Sequence, residues 1–253
     1  MGHPPGYATP PGWYPDPWYP QSTRYWDGAT WTEHAQWAGW RPWVDPTSVR
    51  KWGARAGVAF LLEAGAGALT SLTGPVIYGS FFDDAFRSFE SSDQPNSFDG
   101  SYLAGNLLLQ VAGLASIAVL IFLAVWGNHI TTTARTLGLR TTHSPGWAVA
   151  GWLVPIINLW FPYQVVRDAL PETDEARSLV GAWWALRVGA QVLMPIAMIS
   201  AIFETGVGVA MGIATAAAHL AAGVLGRRLA LAISVAHEAG ASLLAGPAAG
   251  ARL

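Results

Sequence analysis

The pattern of apolar and polar positions changes character near residue 50. Before it, tryptophan and tyrosine are interspersed with proline, glycine and charged residues, and no long apolar run forms. Beyond it, apolar stretches cover residues 56–78, 103–126, 179–203 and 205–226. Each is about 22 to 25 residues long and predicts a helix of about 33 Å or more, enough to cross a bilayer. A fifth stretch, residues 146–166 (GWAVAGWLVPIINLWFPYQVV), is equally apolar but carries Pro155, Pro162, Asn158 and Gln164. No apolar run precedes the first span, so no cleavable signal peptide is expected and that span serves as its own insertion signal.

Composition sharpens this into a membrane protein. Of the 253 residues 52% are apolar and 12% charged, a charge content about half that of a soluble domain. The net charge of −2 leaves no basic face for nucleic acid, which is not an expected partner. Cysteine is absent, excluding disulfides, thiol catalysis and cysteine metal sites.

The placement of basic residues decides whether residues 146–166 cross. Arginine and lysine beside a span are retained in the cytoplasm. If the fifth stretch does not cross, Arg24, Arg41, Arg50, Lys51, Arg55, Arg135, Arg140, Arg167, Arg177, Arg227, Arg228 and Arg252 share the cytoplasmic side and Arg87 alone lies outside. If it crosses, the bias falls to seven against six. Three ionisable residues within spans, each costly in hydrocarbon without a partner, point the same way. With four crossings Glu63, Arg187 and His219 lie about 10, 12 and 10 Å from the cytoplasmic ends of their helices, within mutual reach. With five, Arg187 and His219 move to about 24 and 21 Å, away from Glu63.

The expected fold is therefore an all-α integral membrane bundle of four spans, cytoplasmic at its amino terminus, with residues 146–166 reentrant or interfacial. Pro155 and Pro162 each remove a backbone donor, and Asn158 and Gln164 are placed to satisfy freed backbone groups. Trp147, Trp152 and Trp160 suit the interface. The competing reading is a kinked full span. An acidic loop over residues 79–101 is expected outside.

The chain ahead of the spans predicts a small β-meander. The runs STRYW and ATWTEH flank Asp27-Gly28, a dipeptide suited to a tight hairpin. About 25 residues cannot bury a conventional core, so Trp13, Trp26 and Trp31, with Tyr14, Tyr25 and the prolines, must supply the apolar contact. The expected order is a disordered Pro/Gly-rich start (1–10), a Trp-rich β-module (11–36), a linker (37–50) whose Trp37, Trp40 and Trp43 suit a membrane interface, a membrane domain (51–238) and a flexible tail (239–253).

Two resemblances follow from the quoted residues. PGWYPDP at 11–17, RYWDG at 24–28, then Trp31, Thr32 and His34 resemble domain of unknown function 2510, an actinobacterial module similar in size and aromatic content to a WW domain. That likeness implies a peptide-binding surface over Trp13, Tyr25, Trp26 and Trp31; the simpler reading makes these rings the module's core. From about Trp126 onward the chain resembles domain of unknown function 4328, a bacterial membrane family, most specifically over 144–167: Ser144, Pro145, Gly146 and Trp147, then Pro155, Asn158 and Trp160, then Pro162, Tyr163 and Gln164. A weaker likeness covers 51–238. Neither resemblance implies an activity.

Candidate chemistry is sparse. Glu63, Arg187 and His219 form a candidate intramembrane polar cluster, able to bind a polar ligand or relay protons, or else a structural pair. Asn158, Gln164 and the prolines are read either as a substrate cavity or as a reentrant segment serving its own backbone. Gly65, Gly67, Gly208 and Gly212 have the spacing of close helix approach, within one chain or in a homo-oligomer. The acidic loop lacks calcium-loop spacing, and HEAGA at His237 has Ala241 where a zinc protease needs histidine. No metal, cofactor or catalytic residue is expected, and no enzyme activity. The leading expectation is a membrane-anchored interaction or scaffold protein whose 11–36 module recruits a cytoplasmic partner; the alternative is a small transporter, channel or sensor using the polar cluster.

Overall fold

The computed structural model of the protein describes residues 9–19, 22–37, 44–91 and 100–245. The start of the chain through residue 8, Trp40, Arg41 and Trp43 of the linker, Asp93 and Asp99 of the acidic stretch, and Arg252 lie outside the described residues. The chain divides into two compact units, Met1–Trp43 and Val44–Leu253.

The first unit is a three-stranded antiparallel meander of β1 (Gly12–Pro15), β2 (Ser22–Trp26) and β3 (Trp31–Trp37), in that order. Its second turn spans 27–30, wider than the two-residue hairpin that Asp27-Gly28 predicts. The Asp27 carboxylate accepts from the Ala29 and Thr30 backbone N–H groups at 2.8 and 2.7 Å, and Gly28 takes a φ of 100°, where a side chain would be strained. Register puts Trp13 opposite Tyr25 and Trp26 opposite Trp31, so the two pairs occupy opposite faces. A polar clasp closes the first turn. The side chain of Asp16, buried in the unit, accepts from the Trp18 and Tyr19 backbone N–H groups, from Ser22 Oγ and from Arg24 Nε.

The second unit has six helices among the described residues: α1 (Pro46–Ser91), α2 (Gly100–Thr136), α3 (Pro145–Leu153), α4 (Phe161–Asp168), α5 (Leu179–Phe203) and α6 (Thr205–Ala245). Of these α1, α2, α5 and α6 are long and apolar enough to cross a membrane. α5 matches its expected stretch, whereas α1, α2 and α6 run well past theirs. The expected acidic loop is a correction: residues 79–91 continue α1, because Phe81, Phe82, Ala85 and Phe86 include no helix breaker before Pro95. The expected flexible tail begins as helix too, with α6 running to Ala245.

Contacts fix the directions of the four long helices. A Cβ built on Gly53 would meet Ser234, one on Gly67 His219, and one on Gly79 Thr205, so α1 and α6 are antiparallel along most of α1. Phe60 meets Trp126 of α2 and Trp183 of α5, and Gly105 lies against Ile77. The helices thus alternate, with the start of α1, the end of α2, the start of α5 and the distal half of α6 at one end. Small residues let α1 and α6 close. Pro75 deprives the Ser71 carbonyl of its helical donor, and Gly212 packs so tightly on that carbonyl that a Cβ would lie 2.2 Å from the oxygen. Among the expected close-approach glycines Gly67 faces His219, Gly208 sits against Ala201 and Gly212 against Ser71, all within the chain, while nothing lies near Gly65.

Residues 142–168 double back. α2 ends in a Schellman cap: Gly138 has φ 81°, its N–H donates to Arg135 O, and Leu139 N–H donates to Ala134 O. The chain then makes α3, breaks around Pro155, passes through a short turn at Ile157–Leu159 and returns as α4. The two arms touch along their length: Gly151 lies against Phe161, Trp147 packs on Phe161, and His143 Nε2 lies 2.5 Å from Gln164 Oε1. Their ends meet where Asp168 Oδ2 accepts from the Thr142 backbone N–H at 2.8 Å.

Candidate functional site

Three long helices and the hairpin contribute to one buried polar cluster. Glu63 projects from α1, three residues after Phe60, on the side that faces α5 and α6. Arg187 projects from α5 and donates from Nη1 to Glu63 Oε1. Its guanidinium carbon lies 5.1 Å from the centre of the Trp152 ring on α3, a cation–π contact in low dielectric. His219 of α6 borders the same space. The three residues that the sequence singled out therefore converge, and Trp152 joins them. The Trp152 ring is fully buried against Phe60 and Trp183.

Between them lies a cavity of about 20 Å³, lined by Phe60, Glu63, Trp183, Arg187, Gln191 and His219. A water needs about 10–15 Å³ by this measure, so the space admits one and no larger ligand. Arg187 is 6% exposed and its Nε and Nη2 have no hydrogen-bond partner among the described residues. Two buried cationic donors without acceptors are costly, and a water in the cavity is the group that fits them. Chemically the cluster can lock three helices together through a desolvated ion pair. It can also hold one water between Arg187 and an imidazole.

The hairpin residues play local roles. Ser144 and Pro145 start α3, the Ser144 carbonyl accepting from Ala148 N–H. Gly146 is exposed, as is Trp147 at its edge. Pro155 ends α3, and Asn158 Nδ2 donates to the Trp152 carbonyl that the break frees, at 2.5 Å. Gln164 serves the His143 side chain instead of a backbone group, a correction that follows from α4 being regular there. Pro162 opens α4, Tyr163 packs on Trp184 and under Arg167, and Trp160 is 41% exposed. Leu153, Val154 and Ile156 at the tip are exposed, Ile156 by 71%.

Sequence reasoning did not single out Asp168 or the Phe60, Trp152 and Trp183 cluster, and it weighed His237 only as part of a zinc-protease near miss. Asp168 is buried, paired with Arg167 at 2.8 Å, and closes the hairpin. His237 Nε2 bonds the Ala169 carbonyl at 2.8 Å, pinning α6 to the end of α4. An acid right after the family motif was the one available signal. Among the described residues no group of acidic or histidine side chains is arranged to hold a metal.

In the module, Trp13 and Tyr25 stack edge to face at 5.6 Å with Trp13 45% exposed. Trp26 and Trp31 pack on each other at 5.3 Å and under Tyr14, and Trp26 Nε1 donates to Thr9 O. The expected surface splits: the Trp13 ring is exposed, while Tyr25, Trp26 and Trp31 are each half-buried.

Residues 92–237 match the family described as domain of unknown function (DUF4328), and residues 11–48 match protein of unknown function (DUF2510). Arg187, His219 and the hairpin fall inside the first match, while α1 and Glu63 precede it. No curated protein and no solved structure matches the chain.

Proposed function

The chain belongs to the DUF4328 family, and from there we propose that it is a membrane-anchored interaction protein whose amino-terminal module recruits a cytoplasmic partner. In this reading α1, α2, α5 and α6 cross the cell membrane and the ends that gather Arg50, Arg55, Arg135, Arg167 and Arg177 face the cytoplasm. The hairpin then enters from that side and returns, its exposed tip of Leu153, Val154 and Ile156 in the hydrocarbon margin and Trp147 and Trp160 at the headgroups. The observation that carries the reading is the contrast between an aromatic pair with one ring exposed, Trp13 on Tyr25, and a membrane-unit cluster with room for one water. Recognition surface lies in the module; the helices supply an anchor held by a structural ion pair.

The test has two parts. A single thiol introduced at exposed Ser242 should stay unreactive to an impermeant reagent in intact cells and react after lysis. A photoreactive residue in place of Trp13 should cross-link one discrete cytoplasmic partner, lost on Tyr25→Ala. Surface labelling of Ser242→Cys in intact cells defeats the arrangement, and absence of any adduct at residue 13 defeats recruitment. The second reading, a small transporter, channel or sensor, is favoured by the unpartnered Nε and Nη2 of Arg187 beside His219.

A further inference from the structure

Exposed apolar surface on the helical unit is not uniform. Between α1 and α2 it forms a groove of about 500 Å³, far larger than the polar cavity on the inner side of α1. Sequence explains the depression: Ala59 and Ala118 are too short to fill the space that Val58 and Leu62 of α1 and Phe122 of α2 enclose. Val58 and Leu62 are 57% and 59% exposed, so the walls present methyl groups outward.

The groove has a direction. At one end stands Arg55, exposed and with no ion pair among the described residues; at the other lie Leu62 and Ala118. Arg55 and Leu62 are seven residues apart on α1, about 10 Å along the helix axis. Lys51 stands one turn before Arg55 and is also exposed. Trp52 stacks on Phe122 at 5.6 Å and on His129 at 5.2 Å, bracing the basic end with aromatic rings. A charged mouth on a methyl-lined trough about two turns long matches an amphiphile with an anionic head and a hydrocarbon tail. Basic pockets between spans on the cytoplasmic side take anionic lipid heads on this principle.

We propose that the groove between α1 and α2 binds one acyl chain of an anionic phospholipid, with Arg55, aided by Lys51, holding its phosphate. The site rests on the membrane-spanning reading of α1 and α2. It gives that side of the unit a resident lipid instead of a fluid boundary.

The experiment places the full chain in phosphatidylcholine vesicles containing a minor fraction of phosphatidylglycerol with a diazirine on one acyl chain. After irradiation, adducts are mapped by peptide mass. Labelling should concentrate on residues 54–62 and 118–122 relative to the equally exposed Val192, Ile196 and Ile199 of α5. It should fall about fivefold when the same diazirine chain is carried by phosphatidylcholine, the ratio expected for one basic contact at the surface. Arg55→Gln, an exposed substitution that leaves the core alone, should erase that headgroup preference. Ala118→Phe should remove groove labelling with either lipid. Even labelling of all outward faces, equal labelling by the two headgroups, full competition by a free fatty acid, or cross-links to a second copy at 54–62 each overturn the proposal. Failure of the chain to float with the vesicles defeats the membrane reading as well, whereas flotation with even labelling defeats the groove alone.

Discussion

The module and the helical unit hold themselves together by opposite means. In the module, stability is concentrated in few side chains: two aromatic pairs and two aspartates, Asp16 and Asp27, that gather backbone N–H groups and hydroxyls around each turn. In the helical unit it is spread along a seam. Gly53, Gly212 and Gly223 let α1 and α6 approach within backbone contact, Gly67 makes room for the His219 ring, and one ion pair crosses the interior. A unit that cannot bury enough area must tie its turns with charge; long helices with small residues on facing sides gain from close packing along a seam. Concentrated stability is sensitive to pH, while distributed stability is sensitive to volume.

The largest break is predicted at the pair. Glu63→Gln leaves the Arg187 guanidinium buried opposite a neutral group and should lower stability by about 3–5 kcal/mol. Thermal unfolding of the detergent-solubilised chain, followed by helical circular dichroism, reads it. Arg187→Gln added to Glu63→Gln should recover part of the loss, because no buried charge then remains. Additive losses would show that the two side chains do not act as a pair. Next is the seam: Gly212→Val sets a side chain against the Ser71 carbonyl and should cost about 1–3 kcal/mol, the range for overpacking. Gly65→Val, at a position with open space, should cost much less, and equal losses at 212 and 65 would remove the seam as the cause.

Legibility in the sequence followed the same division. The four long helices and the convergence of Glu63, Arg187 and His219 were readable because long apolar runs mark long helices and a buried charge needs a partner. That residues 146–166 double back was expected from the placement of the basic residues, and the prolines and Asn158 allow it. What was not readable depended on particular contacts. Helix ends ran past the apolar stretches because nothing in 79–91 or 227–245 breaks a helix, and apolarity marks a membrane, not a terminus. That Trp152 lies buried beneath Arg187 depends on how α3 packs between α2 and α5, which no local pattern shows. Asp168 closes the hairpin through the backbone of Thr142, 26 residues away, and no local pattern announces such a partner.

Acid should separate the two units. In Asp27 the Thr30 and Ala29 backbone N–H groups hold the carboxyl below its ordinary value of 3.8. In Asp16 burial pushes upward but is outweighed by bonds from Trp18, Tyr19, Ser22 and Arg24, so its value is lowered as well. Both groups ionise more readily folded than unfolded. Their stabilisation is thus complete above about pH 4 and is lost as pH falls through the lowered folded values. Fluorine NMR of the fluorotryptophan-labelled full chain, with the Trp26 resonance assigned through Trp26→Phe, should show the module losing its structure below pH 4. Helical circular dichroism should persist across that interval. A module that melts together with the helices would place their stabilities in one cooperative unit.

The smallest expected effect bears on the comparison most directly. If the Trp13 and Tyr25 face is a recognition surface, Trp13→Ala should leave the module folded, losing the edge-to-face contact of about 0.5–1.5 kcal/mol and the burial of the covered part of the ring. Trp31→Ala, on the opposite face, removes contacts to both Trp26 and Tyr14 and should unfold the module. The same fluorine signal at Trp26 reads both substitutions at neutral pH. A folded Trp13→Ala module that no longer cross-links its partner from position 25 makes the ring a contact residue. A module that collapses equally under either change makes all four rings core, and the surface assigned to recruitment then has no free aromatic side to offer.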